Sequence, residues 1–253
     1  MGKIALVVEY EGTRYHGSQI QANMPTIQGE IEHALSRLTG EMIRIAFASR
    51  TDAGVHAEGQ VAGFGTNSNL PVETFVRALN HYLPSDIAVR KAFPVSGGFN
   101  VRRDAISREY WYRLLNSATA SPLLRRSAHF VPQPLDVAAM NEACKALIGT
   151  HDFAPFASPV NGRKSTVRTV YRAEITRDGE LITFYMVANS FLPHQVRNTI
   201  GALVKVGLDK CDVETFRQIA RSKTLASAGP ALPAHGLCLI KVNYPDGVWD
   251  ENL

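Results

Sequence analysis

The chain opens on an unbroken apolar run, KIALVVEY (3–10), rich in β-formers and closed by the turn signal Glu11-Gly12. The period then lengthens. From Thr26, a residue suited to an N-cap, Ile27, Ile31, Ala34, Leu35 and Leu38 keep helical spacing until Gly40 stops it. MIRIAFA (42–48) and GQVAGFG (59–65) read as strands. Val72, Phe75, Val76, Leu79 and Leu83 mark a second helix that Pro84 ends, and DIAVRKAF (86–93) reads as a strand. The order predicted for this half is β-α-β-β-α-β.

The same order, with one added helix, returns after Gly97-Gly98, which reads as the joint between an N-terminal half (1–97) and a C-terminal half (98–253). EYWYRLL (109–115) is a strand, and Val137, Met140, Cys144 and Leu147 share one face of a helix running to Gly149. TVRTVYRAEITRDGELITFYMVAN (166–189) reads as a hairpin turning at Asp178-Gly179. Helices over 194–206 and 213–222 follow, then the strand GLCLIKVNY (236–244). SPVNGRKS (158–165) reads as a mobile loop. Two ferredoxin-like units in tandem predict an α+β fold, a mostly antiparallel sheet with helices packed on it. If the two sheets join edge to edge, the halves enclose a cleft, the expected place for an active site.

Composition narrows the class. With 253 residues, 45% hydrophobic and 20% charged, the chain is long enough to fold without staples. Twenty-seven Lys and Arg against 23 Asp and Glu permit a polyanionic partner without requiring one. Cys144, Cys211 and Cys238 have no CxxC spacing and no zinc-like pattern with His, and read as reduced thiols. The first apolar run is too short for a signal peptide or a membrane span, so the expectation is a soluble, cytoplasmic chain.

Charge distribution adds more than net charge. Arg102, Arg103, Arg108, Arg113, Arg125 and Arg126 crowd a segment that holds Tyr110, Trp111 and Tyr112, and Arg163, Lys164, Arg168 and Arg172 form a second cluster. Arginine interleaved with aromatics suits phosphate contact plus base stacking; the alternative is a solvated strand face with its aromatics in the core. No RNP1-like motif supports sheet-face readout. Between the second and third strands lies ASRTDAGVHAEGQ (48–60). Asp52 there is either the head of an Asx-turn or a reactive carboxylate approached past Ala53, Gly54 and Ala57. Two rival readings are a non-catalytic RNA-binding module and a hydrolase pairing Asp52 with His56 or His194. Neither HExxH nor GxSxG is present, and the G-x-G at Gly63–Gly65 lacks its third glycine.

SRTDAGVHA resembles the active-site motif of the tRNA pseudouridine synthase A family, usually GRTDAGVHA. YEGTRYHGSQ (10–19), FNVRRDAISREYWYRL (99–114), TVRTVYRAE (166–174), FLPHQVRNTIGAL (191–203) and PALPAHGLCLIKVNYP (230–245) resemble its other motifs in the same order. The resemblance implies isomerisation of uridine to pseudouridine at positions 38 to 40 of the tRNA anticodon stem-loop, without cofactor or metal. Asp52 matches the nucleophile, acting at the sugar or at the base. Arg197 matches the helix arginine expected to keep Asp52 ionised in a dry pocket. Arg50 matches the residue that fills the stack vacated by the flipped base, and Tyr110 the tyrosine that stacks on that base. A homodimer with tRNA as partner is implied as well, as is a related synthase acting on other tRNA positions as the alternative. Four positions depart from the family pattern: Ser49 for Gly, Ser18 for Trp, Gln195 for Met and Asn100 for His. Ser49 would carry strain if its position demanded a positive φ.

Overall fold

The opening apolar run becomes strand β1 (Gly2–Tyr10). The computed structural model describes residues 2–158 and 165–249. Two compact units emerge, Met1–Arg108 with Cys238–Leu253, and Glu109–Leu237.

In the first unit β1 lies between two antiparallel partners, β3 (His56–Thr66), with Ile4 opposite Phe64, and β4 (Ile87–Val95), with Ala5 opposite Phe93. The two-residue β2 (Ala46–Phe47) also pairs with β3, Ala46 opposite Gly63. A strand from far along the chain, β10 (Leu237–Asn243), runs parallel to β3, Cys238 opposite His56 and Leu239 opposite Ala57. The strand order is β4-β1-β3-β10. Helix α1 (Ile27–Thr39) starts where Thr26 Oγ1 accepts the Gly29 N–H at 3.2 Å and ends at Gly40, at φ 74°. It buries Ile27, Ile31, Ala34 and Leu35 of the stripe predicted from the sequence, and leaves Leu38, the last of that stripe, half-buried. Helix α2 (Val72–Tyr82) buries Phe75 and Leu79, and the Phe75 ring meets Phe64 of β3 at 5.9 Å. Each such fully buried side chain contributes about 1.5–3 kcal/mol over leaving it in water.

The strand expected over 42–48 shrinks to Ala46–Phe47. At Ile45 the backbone is bonded by α1 side chains instead: Glu32 Oε1 accepts its N–H at 3.1 Å, and Gln28 Nε2 donates to its carbonyl at 3.3 Å. A helix thus supplies there what a neighbouring strand would.

The second unit has the strand order β5-β9-β8-β7, with β5 (Ser107–Asn116), β7 (Gly149–Asp152), β8 (Val167–Asp178) and β9 (Leu181–Ala188). The three-residue β6 (His129–Val131) runs parallel to β5. Neither β6 nor β7 has an apolar run to announce it. Asp178 still pairs with Leu181, so the hairpin turns at Gly179-Glu180, one residue beyond the predicted pair, with Gly179 at φ 56°. The helix expected to run to Gly149 stops sooner: α3 (Val137–Cys144) tightens into a 3₁₀ turn, Lys145–Leu147. Helices α4 (Gln195–Gly207) and α5 (Val213–Arg221) complete the layer, α3 meeting both helices and β8. Phe156 sits between Phe153 and Phe216, ring centroids 6.1 and 5.9 Å away. The fold class is α+β, its strand pairs mostly antiparallel and its helices packed on them, as the sequence predicts. The segment read as a mobile loop falls, at 159–164, outside the described residues, together with Arg163 and Lys164.

Candidate active site

The loop between β2 and β3 carries Arg50 and Asp52, and its shape is set by side chains on β1, on β3 and ahead of α1. Ala48 N–H still bonds the Val61 carbonyl at 2.9 Å, the last backbone rung of the β2–β3 ladder. Beyond it, Gln60 of β3 meets Ser49: its Oε1 accepts the Ser49 N–H at 3.3 Å and its Nε2 donates to the Ser49 carbonyl at 2.8 Å. Thr51 is fixed from two sides. Its N–H donates to Ser18 Oγ at 2.9 Å, its carbonyl accepts the Ser18 N–H at 3.0 Å, and its hydroxyl lies 2.8 Å from the Tyr10 hydroxyl. With both neighbours held, Arg50 is exposed and Asp52 half-buried. Among the described residues, no ion pair or side-chain hydrogen bond engages the Arg50 guanidinium.

The loop closes in a tight turn, Val55 N–H bonding the Asp52 carbonyl at 3.1 Å and Gly54 N–H the Tyr15 carbonyl at 3.4 Å. Asp86 ties that neighbour down in turn: its carboxylate accepts the Tyr15 hydroxyl at 2.6 Å and pairs with Arg14 Nε at 2.9 Å. Burial first, then this bond to Asp86, raises the Tyr15 phenol above its ordinary range. A Cβ on Gly12 would sit 2.0 Å from the Val55 carbonyl oxygen, so only glycine lets the first motif lie against the loop.

Two departures from the family pattern therefore fall among the loop's own bonds. Ser18, fully buried, bonds Thr51. Ser49 is not at positive φ: among the described residues the non-glycine positions there are Asn23, His194, Asp209 and Ala226.

In the second unit Tyr110 lies on β5, 5% exposed, its ring edge-to-face with Phe191 at 5.0 Å. Arg197 sits in the first turn of α4, where Nε donates to the Leu232 carbonyl at 2.7 Å and its own carbonyl accepts the Leu232 N–H at 3.2 Å. The 230–234 segment is gripped a second time by Tyr112, whose hydroxyl donates to the Pro233 carbonyl at 2.7 Å. Burial pushes the Tyr112 phenol up, against the opposing charge of Arg197.

The histidines of the hydrolase reading have structural work. His56 Nδ1 accepts the Gly12 N–H at 3.0 Å, and His194, at the N-cap of α4 with φ 60°, has Nδ1 2.7 Å from Ser158 Oγ. The basic clusters also divide. Arg108 is 6% exposed and donates to the carbonyls of Ala48, Arg102 and Ala105, so it braces the start of the Asp52 loop rather than any phosphate-facing surface. Arg172 pairs with Glu174, whereas Arg113 stacks over Trp111 at 3.9 Å. Sequence reasoning passes over Gln60 and Tyr10; the signal is a glutamine inside the apolar run GQVAGF. Among the described residues no three His, Cys, Asp or Glu side chains are placed to hold a metal ion, and no helix is long and apolar enough to cross a membrane.

Comparison with known proteins agrees with the motif arrangement. The family model described as tRNA pseudouridine synthase matches residues 6–104 and 143–245. A protein of Roseiflexus castenholzii named tRNA pseudouridine synthase A is 46% identical over 97% of this chain and 92% of its own length. One of the same name from Acetivibrio thermocellus is 40% identical over 96% of this chain and 100% of its own, and one from Chloroflexus aurantiacus 42% identical over 99% and 92%.

Proposed function

The chain belongs to the tRNA pseudouridine synthase family, an isomerase that converts uridine to pseudouridine in tRNA, and from that premise we propose that its targets are positions 38 to 40 of the anticodon stem-loop and that Asp52 is the nucleophile. The observation that carries the assignment of Asp52 is its setting: a half-buried carboxylate on a loop whose preceding residue is bonded on backbone and side chain alike. Such a carboxylate is presented in one geometry, which is what attack on a single carbon requires.

The reaction conserves atoms. The C1′–N1 bond breaks, the uracil turns within the site, C1′ joins C5, the C5 proton leaves and N1 takes one up. Asp52 starts it by adding at C1′ of the ribose or at C6 of the base. Arg197 serves as the cation that keeps Asp52 ionised, since an opposite charge nearby lowers a carboxylate pKa by roughly 1–3 units; its bond to the Leu232 carbonyl orients the guanidinium fork. Extrusion of the base costs a few kcal/mol. Arg50, exposed, takes the vacated place in the stem, and Tyr110 receives the base. Because that ring is 5% exposed, the base reaches it by displacing what now covers it. One base–aromatic stack returns about 1–3 kcal/mol, comparable to the flipping cost. The enzyme works in the cytoplasm as a homodimer that shares one tRNA, so a strictly monomeric elution profile would remove the dimer from this reading.

The decisive experiment incubates wild-type and Asp52→Ala protein with tRNA transcripts and maps pseudouridine. The variant is expected to bind tRNA, keep its fold and convert nothing; conversion by the variant overturns the assignment. Pseudouridine mapped outside positions 38 to 40 would replace the target sites and leave the chemistry intact.

A further inference from the structure

We infer that Gln60 is a positioning residue for the Asp52 loop, a side chain that adds one rung to the β2–β3 ladder where the backbone can no longer do so. This rests on the reading of Asp52 as nucleophile. The backbone pairing of the two strands runs through Ala46–Gly63 and Phe47–Ala62 and ends at the Ala48 N–H to Val61 carbonyl bond. At the next position the Gln60 amide stands in for a peptide group, giving Ser49 both a donor and an acceptor. Oε1 also accepts the Val61 N–H at 3.1 Å, and Nε2 also reaches the Tyr10 hydroxyl at 3.3 Å. Only this orientation of the amide works, since turning it over sets donor against donor at Ser49 and Val61 and acceptor against acceptor at the Ser49 carbonyl.

Tyr10 passes the constraint on. Its hydroxyl touches both Gln60 Nε2 and the Thr51 hydroxyl, so one buried network holds Ser49 and Thr51, the two residues flanking Arg50 and leading into Asp52. Gln60 is 0% exposed, and a buried amide left half-satisfied is costly, so its amide is held in one orientation. A loop displaced by about 1 Å can lose roughly 100-fold in rate without losing its substrate contacts.

The test compares Gln60→Glu, Tyr10→Phe and Asp52→Asn with wild type by single-turnover conversion of a tRNA transcript, by tRNA affinity and by circular dichroism. In the Gln60→Glu variant an ionised side chain sets a carboxylate against the Ser49 carbonyl, whereas the protonated form donates to it. Gln60→Glu is therefore expected to slow conversion about 10- to 100-fold at mildly alkaline pH with tRNA affinity unchanged, and to recover on acidification relative to wild type. A merely structural glutamine would lower stability and leave the rate per folded molecule, and its pH profile, as they were. Tyr10→Phe, which removes one hydroxyl, is expected to slow conversion about threefold or more. A folded Gln60→Glu protein with the wild-type rate at every pH overturns the inference, as does equal loss of affinity and rate. Should Gln60→Glu not fold, Tyr10→Phe decides, and a wild-type rate from it overturns the inference. Conversion by Asp52→Asn would instead sink the reading of Asp52, leaving the two failures distinguishable.

Discussion

At the scale of single residues the Asp52 loop separates its two charges by what holds their neighbours. Ser49 and Thr51 are each bonded into the protein, so the backbone between them turns Arg50 outward. Arg50→Ala is thus expected to change stability by no more than about 0.5 kcal/mol, the usual range for a surface substitution away from caps and networks. Conversion should nonetheless fall by about tenfold, within the roughly 1–3 kcal/mol of one stacking contact with nucleic acid. Denaturant midpoints and single-turnover rates measured on the same preparation check both halves. Arg108 makes the opposite case. In sequence it is one more arginine of a basic segment, yet its three carbonyl partners make it part of the interior. Nothing in composition separates an arginine that meets phosphate from one that caps backbone carbonyls; only the fold supplies the carbonyls.

At the scale of elements, α4 shows how a helix holds its arginine and the segment that follows. Gly201 faces the 230–234 segment closely enough that a Cβ there would lie 2.8 Å from the Pro230 carbonyl oxygen. Gly201→Ala gains about 1 kcal/mol of helix propensity, but overpacking against a backbone atom costs about 1–3 kcal/mol. The clash is expected to win by about 1 kcal/mol. Because the same segment carries the Leu232 carbonyl that orients Arg197, turnover should drop while tRNA affinity holds. Melting curves and a kcat against KM comparison test this. The elements themselves were largely legible: α1 between Thr26 and Gly40, α2 ahead of Pro84, and the long hairpin follow local rules of capping, proline and alternation. What was not legible depends on partners distant in sequence. The strand expected over 42–48 shortens because Glu32 and Gln28 reach Ile45, and the three-residue β6 exists because β5 is there to pair with it. Of the candidate residues, Asp52, Arg50, Tyr110 and Arg197 stand out through their motifs. Gln60 and Tyr10 do not, since a buried hydrogen bond between residues 50 apart leaves no local period.

At the scale of the whole molecule, buried acids make stability depend on alkaline pH. Burial raises the phenols of Tyr15, Tyr112 and Tyr244 above their ordinary 10.0 and pushes the Cys144 thiol from 9.0 up to about 12. The folded protein keeps these protons where the unfolded chain releases them. Their contribution is therefore fully present below about pH 9 and shrinks as pH rises through the folded values. Denaturant midpoints should be flat with respect to these groups up to about pH 9 and fall beyond it, with ionisation of Tyr15, Tyr112 and Tyr244 appearing together with loss of circular dichroism. Ionisation of Tyr15, Tyr112 or Tyr244 near pH 10 while the protein is still folded would contradict this.

The position of β10 also imposes an order in time. The strand that follows the Asp52 loop has its parallel neighbour, at His56 and Ala57, in Cys238 and Leu239. A ribosome has therefore made the whole second unit before the first can be finished, and the nascent chain carries Asp52 beside a strand whose flank is still bare. The strand that completes the first unit is synthesised after every element of the second.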